Sequence, residues 1–380
     1  MKIINLVKKE AVLFVALFLA VISAALVHPD DKYLSYVDLR TLGLLFSLMC
    51  VMAGLKSQGV FEKLGIKLLS HTKTAFRLIL ALVTLCFFGS MLITNDVALI
   101  TFVPFTFIVL NSLGEELKNR LIFPVVCMQT IAANLGSMMT PIGNPQNLYL
   151  YGRSGISIKS FLLLMLPYTA ASLFLLVIWI GLICKKNIRC DCVKLSPDVL
   201  QADIKSSRKM IAMYVFLFML CLMTVIRLIP WQAAFFTALA LVMAADRKTL
   251  AAVDYSLLLT FVAFFVFIGN LGRIAVFSEW LKRIINGHVV IVSVLASQVT
   301  SNVPAALLLS GFTSDYKSLI IGTNIGGLGT LIASMASLIS YRQIAREYSE
   351  GKGRYFAVFS VANIIFLMLL LTLYIVLRNI

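Results

Sequence analysis

The chain has 380 residues, 60% of them hydrophobic and 13% charged, with the charges gathered into short stretches between long apolar runs. Soluble globular domains rarely have this balance, which excludes a soluble enzyme or binding module. The formal net charge of +16 sits in loops beside apolar runs without interleaved aromatics, so it reads as a membrane-topology signal and not as a nucleic-acid footprint.

In chain order, apolar runs predict spans at about 11–27 and 39–55, a hairpin at 75–111, and spans at 121–150 and 161–184. A basic loop follows at 185–209, carrying Lys185, Lys186, Arg189, Lys194, Lys205, Arg208 and Lys209. Further spans are expected at about 210–229, 231–245 and 254–271, then a second hairpin at 288–313 and spans at 318–345 and 355–378. The predicted fold is an all-α polytopic membrane protein of about nine spans plus two hairpins. Each hairpin has a polar tip, Thr94-Asn95-Asp96 or Ser301-Asn302, that a lipid-facing helix would leave unsatisfied in hydrocarbon. Both hairpins are therefore read as re-entrant. With the N-terminus inside and the C-terminus outside, most Lys and Arg fall on cytoplasmic segments, as the positive-inside rule requires of an inner-membrane protein. Lys2, Lys8 and Lys9 precede the first apolar run, but no clear small-residue cleavage site follows, so the run is expected to persist as a span.

Three blocks of the first half recur in the second in the same order. Val37-Asp38 and Val60-Phe61 match Val253-Asp254 and Val276-Phe277. Ser90, Asn95 and Ala98 match Ser297, Asn302 and Ala305, with Thr94 replaced by Ser301. Asn134, Gly136, Thr140, Leu148 and Tyr151 match Asn324, Gly326, Thr330, Leu338 and Tyr341, while Asn144 and Asn147 become Ser334 and Ser337. Chance likeness of apolar segments would align Leu and Val, not these polar residues. Residues 1–184 and 231–380 thus read as two repeats joined by 185–230. Each segment precedes its counterpart by five spans, and an odd displacement inverts the second repeat, an architecture of transporters.

The chemistry is expected where helices break. Glycine and proline interrupt 134–147 (Gly136, Pro141, Gly143, Pro145) and glycine interrupts 324–337 (Gly326, Gly327, Gly329), freeing carbonyls for a cation and amides for an anion. Backbone amides at 96–99 and 303–306 are expected to face the same cavity. Asp96 is the one carboxylate placed deep in the membrane, either binding a proton or cation or capping its helix. The candidate substrate-binding residues are Thr94, Asn95, Asp96, Thr140, Pro141, Asn144, Ser301, Asn302, Val303 and Thr330. The candidate ion-coupling residues are Asn95, Asp96, Gly143, Asn144, Asn302 and Asn324. His28, His71 and His288 are scattered, and Cys190 and Cys192 lack a second pair, so no metal site, disulfide framework or catalytic cluster is expected. Trp179, Trp231 and Trp280 read as interface anchors.

Thr94-Asn95-Asp96-Val97-Ala98, Thr140-Pro141-Ile142-Gly143-Asn144-Pro145-Gln146-Asn147, Ser301-Asn302-Val303-Pro304-Ala305 and Gly322-Thr323-Asn324-Ile325-Gly326-Gly327 together resemble the ion transporter superfamily. Within it the likeness is to citrate-transporter-like permeases, a group with divalent-anion/sodium symporters, arsenite pumps and sodium/proton antiporters. The resemblance implies a homodimeric carrier that couples a small anion to sodium or protons by an elevator motion, without other cofactors. In the dicarboxylate carriers a Thr follows each tip Asn. Asp96 and Val303 stand there instead, and an Asp at this place resembles the arsenite-pump and antiporter branches, which implies proton coupling.

Overall fold

The computed structural model describes residues 10–69, 72, 74–111, 115–187 and 206–379. Most of the basic loop 185–209, including Cys190 and Cys192, lies outside the described residues, as do Lys2, Lys8, Lys9 and His71. Every element among the described residues is helical. The first half contains α1 (Ala11–Leu26), α2 (Lys32–Tyr36), α3 (Leu39–Ser57), α4 (Val60–Leu69), α5 (Ala75–Ile93), α6 (Asn95–Asn111), α7 (Glu115–Ser137), α8 (Pro145–Ser154) and α9 (Ile158–Asn187). The second contains α10 (Arg208–Val225), α11 (Trp231–Ala245), α12 (Arg247–Leu250), α13 (Tyr255–Arg273), α14 (Ala275–Ile285), α15 (Val289–Thr300), α16 (Asn302–Ser310), α17 (Tyr316–Ile325), α18 (Met335–Glu347) and α19 (Lys352–Arg378).

Among the described residues, α3, α5, α9, α10, α13 and α19 are long and apolar enough to cross a membrane, and α14 with α15, bent by 113°, makes a seventh candidate. The protein is therefore a multi-pass membrane protein. This is fewer than the roughly nine spans that apolar runs predict, because a crossing needs about 20 residues. The segments 121–150 and 318–345 are each divided between two helices, and α1 and α11 have 16 and 15 residues. Large apolar side chains face outward, among them Phe18, Val21, Phe174 and Val361, each more than 60% exposed. Lipid tails would cover such a surface at no cost.

The helix ends follow local chemistry. Asp38 accepts a hydrogen bond from Thr41 N–H at the start of α3, and Asp254 accepts one from Leu257 N–H at the start of α13. Asn144 caps α8 with Pro145 in its first turn, and Gly155 ends that helix in the left-handed region at φ 69°. The short amphipathic helices α4 and α14 follow α3 and α13.

Packing crosses between the halves. Helix α1 lies on α13 and α11 on α3, while α6 lies against α18 and α16 against α8. Within each half, α5 packs on α7 and α15 on α17. At the first of these contacts a Cβ on Gly136 would come within 2.1 Å of the Phe87 carbonyl oxygen, so only glycine permits the approach.

Candidate functional site

Each polar tip turns on one residue. Thr94 joins α5 to α6 at φ 69°, and Ser301 joins α15 to α16 at φ 76°, both in the left-handed region that costs a non-glycine residue about 1–3 kcal/mol. The neighbouring helix break holds each turn in place. Asn95 N–H donates to Gly143 O at 3.1 Å, and Asn302 N–H donates to Ala333 O at 2.9 Å. The Thr140 hydroxyl donates to Met91 O, and the Thr330 hydroxyl to Gln298 O at 3.0 Å, so each break is also tied to the last turn before its tip.

Behind the tips lies a buried polar hub. Asn134 Oδ1 accepts from Asn95 Nδ2 at 3.2 Å and from the Ser334 hydroxyl at 2.9 Å, and Asn134 Nδ2 donates to Ser337 Oγ at 3.4 Å. Asn324 Oδ1 accepts from Asn144 Nδ2 at 3.1 Å, and Asn324 Nδ2 donates to Asn147 Oδ1 at 2.6 Å. The two breaks therefore grip one another. The asparagine of each reaches the capping segment of the other, and the seven side chains are 4% exposed or less. Each bond left unmade here would cost about 1–3 kcal/mol, which makes the hub rigid.

A cavity of about 70 Å³ opens between the tips, lined by Asn95, Asp96, Gln146, Ser301, Asn302 and Val303, with Glu10, Asp254 and Ser334 also on its wall. That volume accommodates several waters, or one small oxyanion or oxyacid, at about 15 Å³ for each water. Three buried polar atoms around it have no hydrogen-bond partner: Asp96 Oδ1, Gln146 Nε2 and Ser301 Oγ. An acceptor, a donor and a hydroxyl that can serve as either thus stand without protein partners in residues lining one cavity. Among the described lining residues there are three carboxylates and no Lys or Arg. A second cavity of about 540 Å³ shares Asp96, Pro145 and Asp254 with the first and reaches Lys56 at the end of α3.

A model of the citrate transporter family matches residues 3–314. The chain belongs to that family. An uncharacterized transporter of Methanocaldococcus jannaschii is 31% identical over 95% of both chains. The inner membrane protein YbiR of Escherichia coli is 33% identical over 80% of both. A silicon efflux transporter of Oryza sativa is 37% identical over 39% of this chain and 29% of its own. The protein is thus a membrane transporter of the anion-permease type, as the tip and break motifs led us to expect.

Of the residues singled out from sequence, Asn95, Asp96, Ser301, Asn302 and Val303 line the first cavity, and Thr94, Asp96 and Asn144 line the second. Gly143 contributes its carbonyl to the first tip, and Asn324 stands in the hub. Thr140, Pro141 and Thr330 line neither cavity; the two threonines fasten the breaks to the hairpins. The backbone amides expected to face substrate are partly in use. Asp96 N–H donates to Asn95 Oδ1 at 3.0 Å, Ala98 N–H to Thr94 O and Ala305 N–H to Ser301 O, while Pro304 has no N–H. Asp96 sits inside the first turn of α6 with Oδ1 unpartnered. Sequence reasoning passed over Gln146, although it follows the Asn-Pro pair that starts α8, where a side chain is delivered straight into the break. It also passed over Asp254, which entered only through its repeat match with Asp38.

Proposed function

We propose that this citrate-family protein is a secondary active transporter that moves a small carboxylate or inorganic oxyanion across the cytoplasmic membrane, coupled to sodium or protons. The observation that carries it is the compact cavity between two hairpin tips, with unpartnered Asp96 Oδ1, Gln146 Nε2 and Ser301 Oγ around it. The proposed architecture is two inverted repeats, 1–184 and 231–380, with re-entrant hairpins at 75–111 and 288–313, broken helices at 121–150 and 318–345, and about nine spans in all. Crossed helix packing and the reciprocal grip of Asn134 and Asn324 support it, since a two-fold axis exchanges each contact with its counterpart. Hairpins, breaks and hub would travel together as the moving body of an elevator, in a homodimer with its N-terminus inside and C-terminus outside.

A second reading stays within the family: efflux of an uncharged, hydroxylated oxyacid. Asp96 and Asp254 on the cavity wall, without a Lys or Arg among the described lining residues, support it, because a free anion would meet like charge there. A rice relative named as a silicon efflux transporter agrees with it. Uptake of citrate, arsenate, arsenite and silicate into proteoliposomes under imposed sodium, proton and voltage gradients separates these two. The anion reading expects transport that rises with the ionised fraction of the solute. Transport following the protonated, neutral fraction favours the oxyacid, and transport of none under any gradient sinks both.

A further inference from the structure

The second helix break contains a nest of main-chain oxygens that is already filled. Gln298 Nε2 donates to Gly326 O at 3.0 Å, Leu328 O at 2.9 Å and Val294 O at 3.2 Å. Two carbonyls of the break, Gly326 O and Leu328 O, therefore meet the two hydrogens of this nitrogen, and Val294 O, one turn earlier in α15, is a third oxygen beside it. The orientation of the carboxamide is fixed from its other end, where Gln298 Oε1 accepts from Thr330 N–H at 2.9 Å. Gly329 makes the fit possible. Its φ is +105°, and a Cβ there would come within 2.2 Å of Gln298 Oε1.

Carbonyls released at a broken membrane helix are the usual ligands of a transported or coupling sodium ion. We propose that Gln298 is an ion-selectivity residue, whose amide nitrogen fills the position in the second break that a sodium ion would otherwise take. The first break is built differently. Asn147 Nδ2 donates to Met138 O at 3.4 Å and Thr140 O at 3.3 Å, and Met91 stands where Gln298 stands in the second half. The carboxamide satisfies these carbonyls without charge and cannot leave with the substrate, so the second break needs no cation to close and presents none to couple.

This inference concerns the coupling ion of the proposed carrier, but its test measures ion binding and not transport, so either can fail alone. Thermal melting of the purified wild type, Gln298→Glu and Gln298→Ala would be compared in sodium chloride and in choline chloride at equal ionic strength. Glutamate sets a carboxylate among the same oxygens, where a bound cation or a proton relieves the repulsion, so melting is read well above the carboxylate pH range, and alanine leaves the nest vacant. Both variants are expected to melt lower than wild type in choline and to gain a saturable, sodium-specific rise of several degrees that exceeds any wild-type response. Saturable binding of radioactive sodium should appear with it. A sodium response in Gln298→Glu no larger than that of wild type overturns the proposal, as does a variant unfolded in both salts.

Discussion

Asp96 lies between the two cavities and offers one oxygen that no protein group meets, so it is the residue whose charge can respond to whatever enters. If a proton is the coupling ion, Asp96→Asn should keep substrate binding but lose the acceleration of uptake by an imposed pH gradient. If sodium is the coupling ion, the same change should weaken sodium-dependent binding, since a neutral amide oxygen replaces a charged ligand. Parental responses to both gradients would move the coupling site to Asn144, Asn147 and Asn324. The paired tip residues make a second test. Asn95→Ala and Asn302→Ala should each lower transport by roughly ten- to hundredfold, the equivalent of about 1–3 kcal/mol for a polar contact left unmade. Their stabilities should differ, because Asn95→Ala also removes the donor to Asn134 Oδ1 and the acceptor of Asp96 N–H. Near-parental uptake in both variants would remove the tips from the substrate path.

At the scale of elements, the breaks were legible because glycine, proline and asparagine announce themselves chemically. Thr140-Pro141 and Gly326-Gly327 disfavour a continued helix, and a tip such as Thr94-Asn95-Asp96 is costly against lipid. The partners across those breaks were not legible. Nothing in a one-dimensional string says that Asn134 reaches Ser334 or that Gln298 enters the fold of 326–330, because these contacts join residues far apart in the chain and depend on how two hairpins tilt. Span counting from apolar runs gave 121–150 and 318–345 as one broken span each, where the structure has α7 with α8 and α17 with α18, since hydropathy does not say how far apart the two pieces of a buried break stand. The glycine contacts give a test of the packing. Gly136→Ala places a methyl group against the Phe87 carbonyl, a backbone atom that cannot swing away, and overpacking of this kind costs about 1–3 kcal/mol. It should melt several degrees below the parent. Gly181→Ala, in α9 with nothing within 4 Å of the new methyl, should melt with the parent or slightly above it. Equal melting of both variants would show that α5 and α7 are not in close contact.

For the whole molecule, orientation decides whether the crossed contacts belong to an inverted pair. Glu10 at the head of α1, Lys56 at the end of α3 and Asp254 at the head of α13 all line the two cavities. In the proposed topology these helix ends share the cytoplasmic side, so the structure would be open to the cytoplasm and closed outside. The loop 185–209 would lie on that same side, held there by its Lys and Arg. It already carries Cys190 and Cys192, whereas Cys50, Cys86, Cys127 and Cys221 are buried. A membrane-impermeant thiol reagent should therefore label Cys190 and Cys192 in inverted vesicles and leave them untouched in right-side-out vesicles. Ser314→Cys, beside Asp315 ahead of α17, should show the opposite pattern once Cys190 and Cys192 are replaced by serine. An even number of crossings between the halves would place both sites on one face, since the second half would then enter the membrane from the same side as the first. Labelling of both positions from a single side would thus make the repeats parallel, and with them the two tips could not approach one cavity from opposite faces.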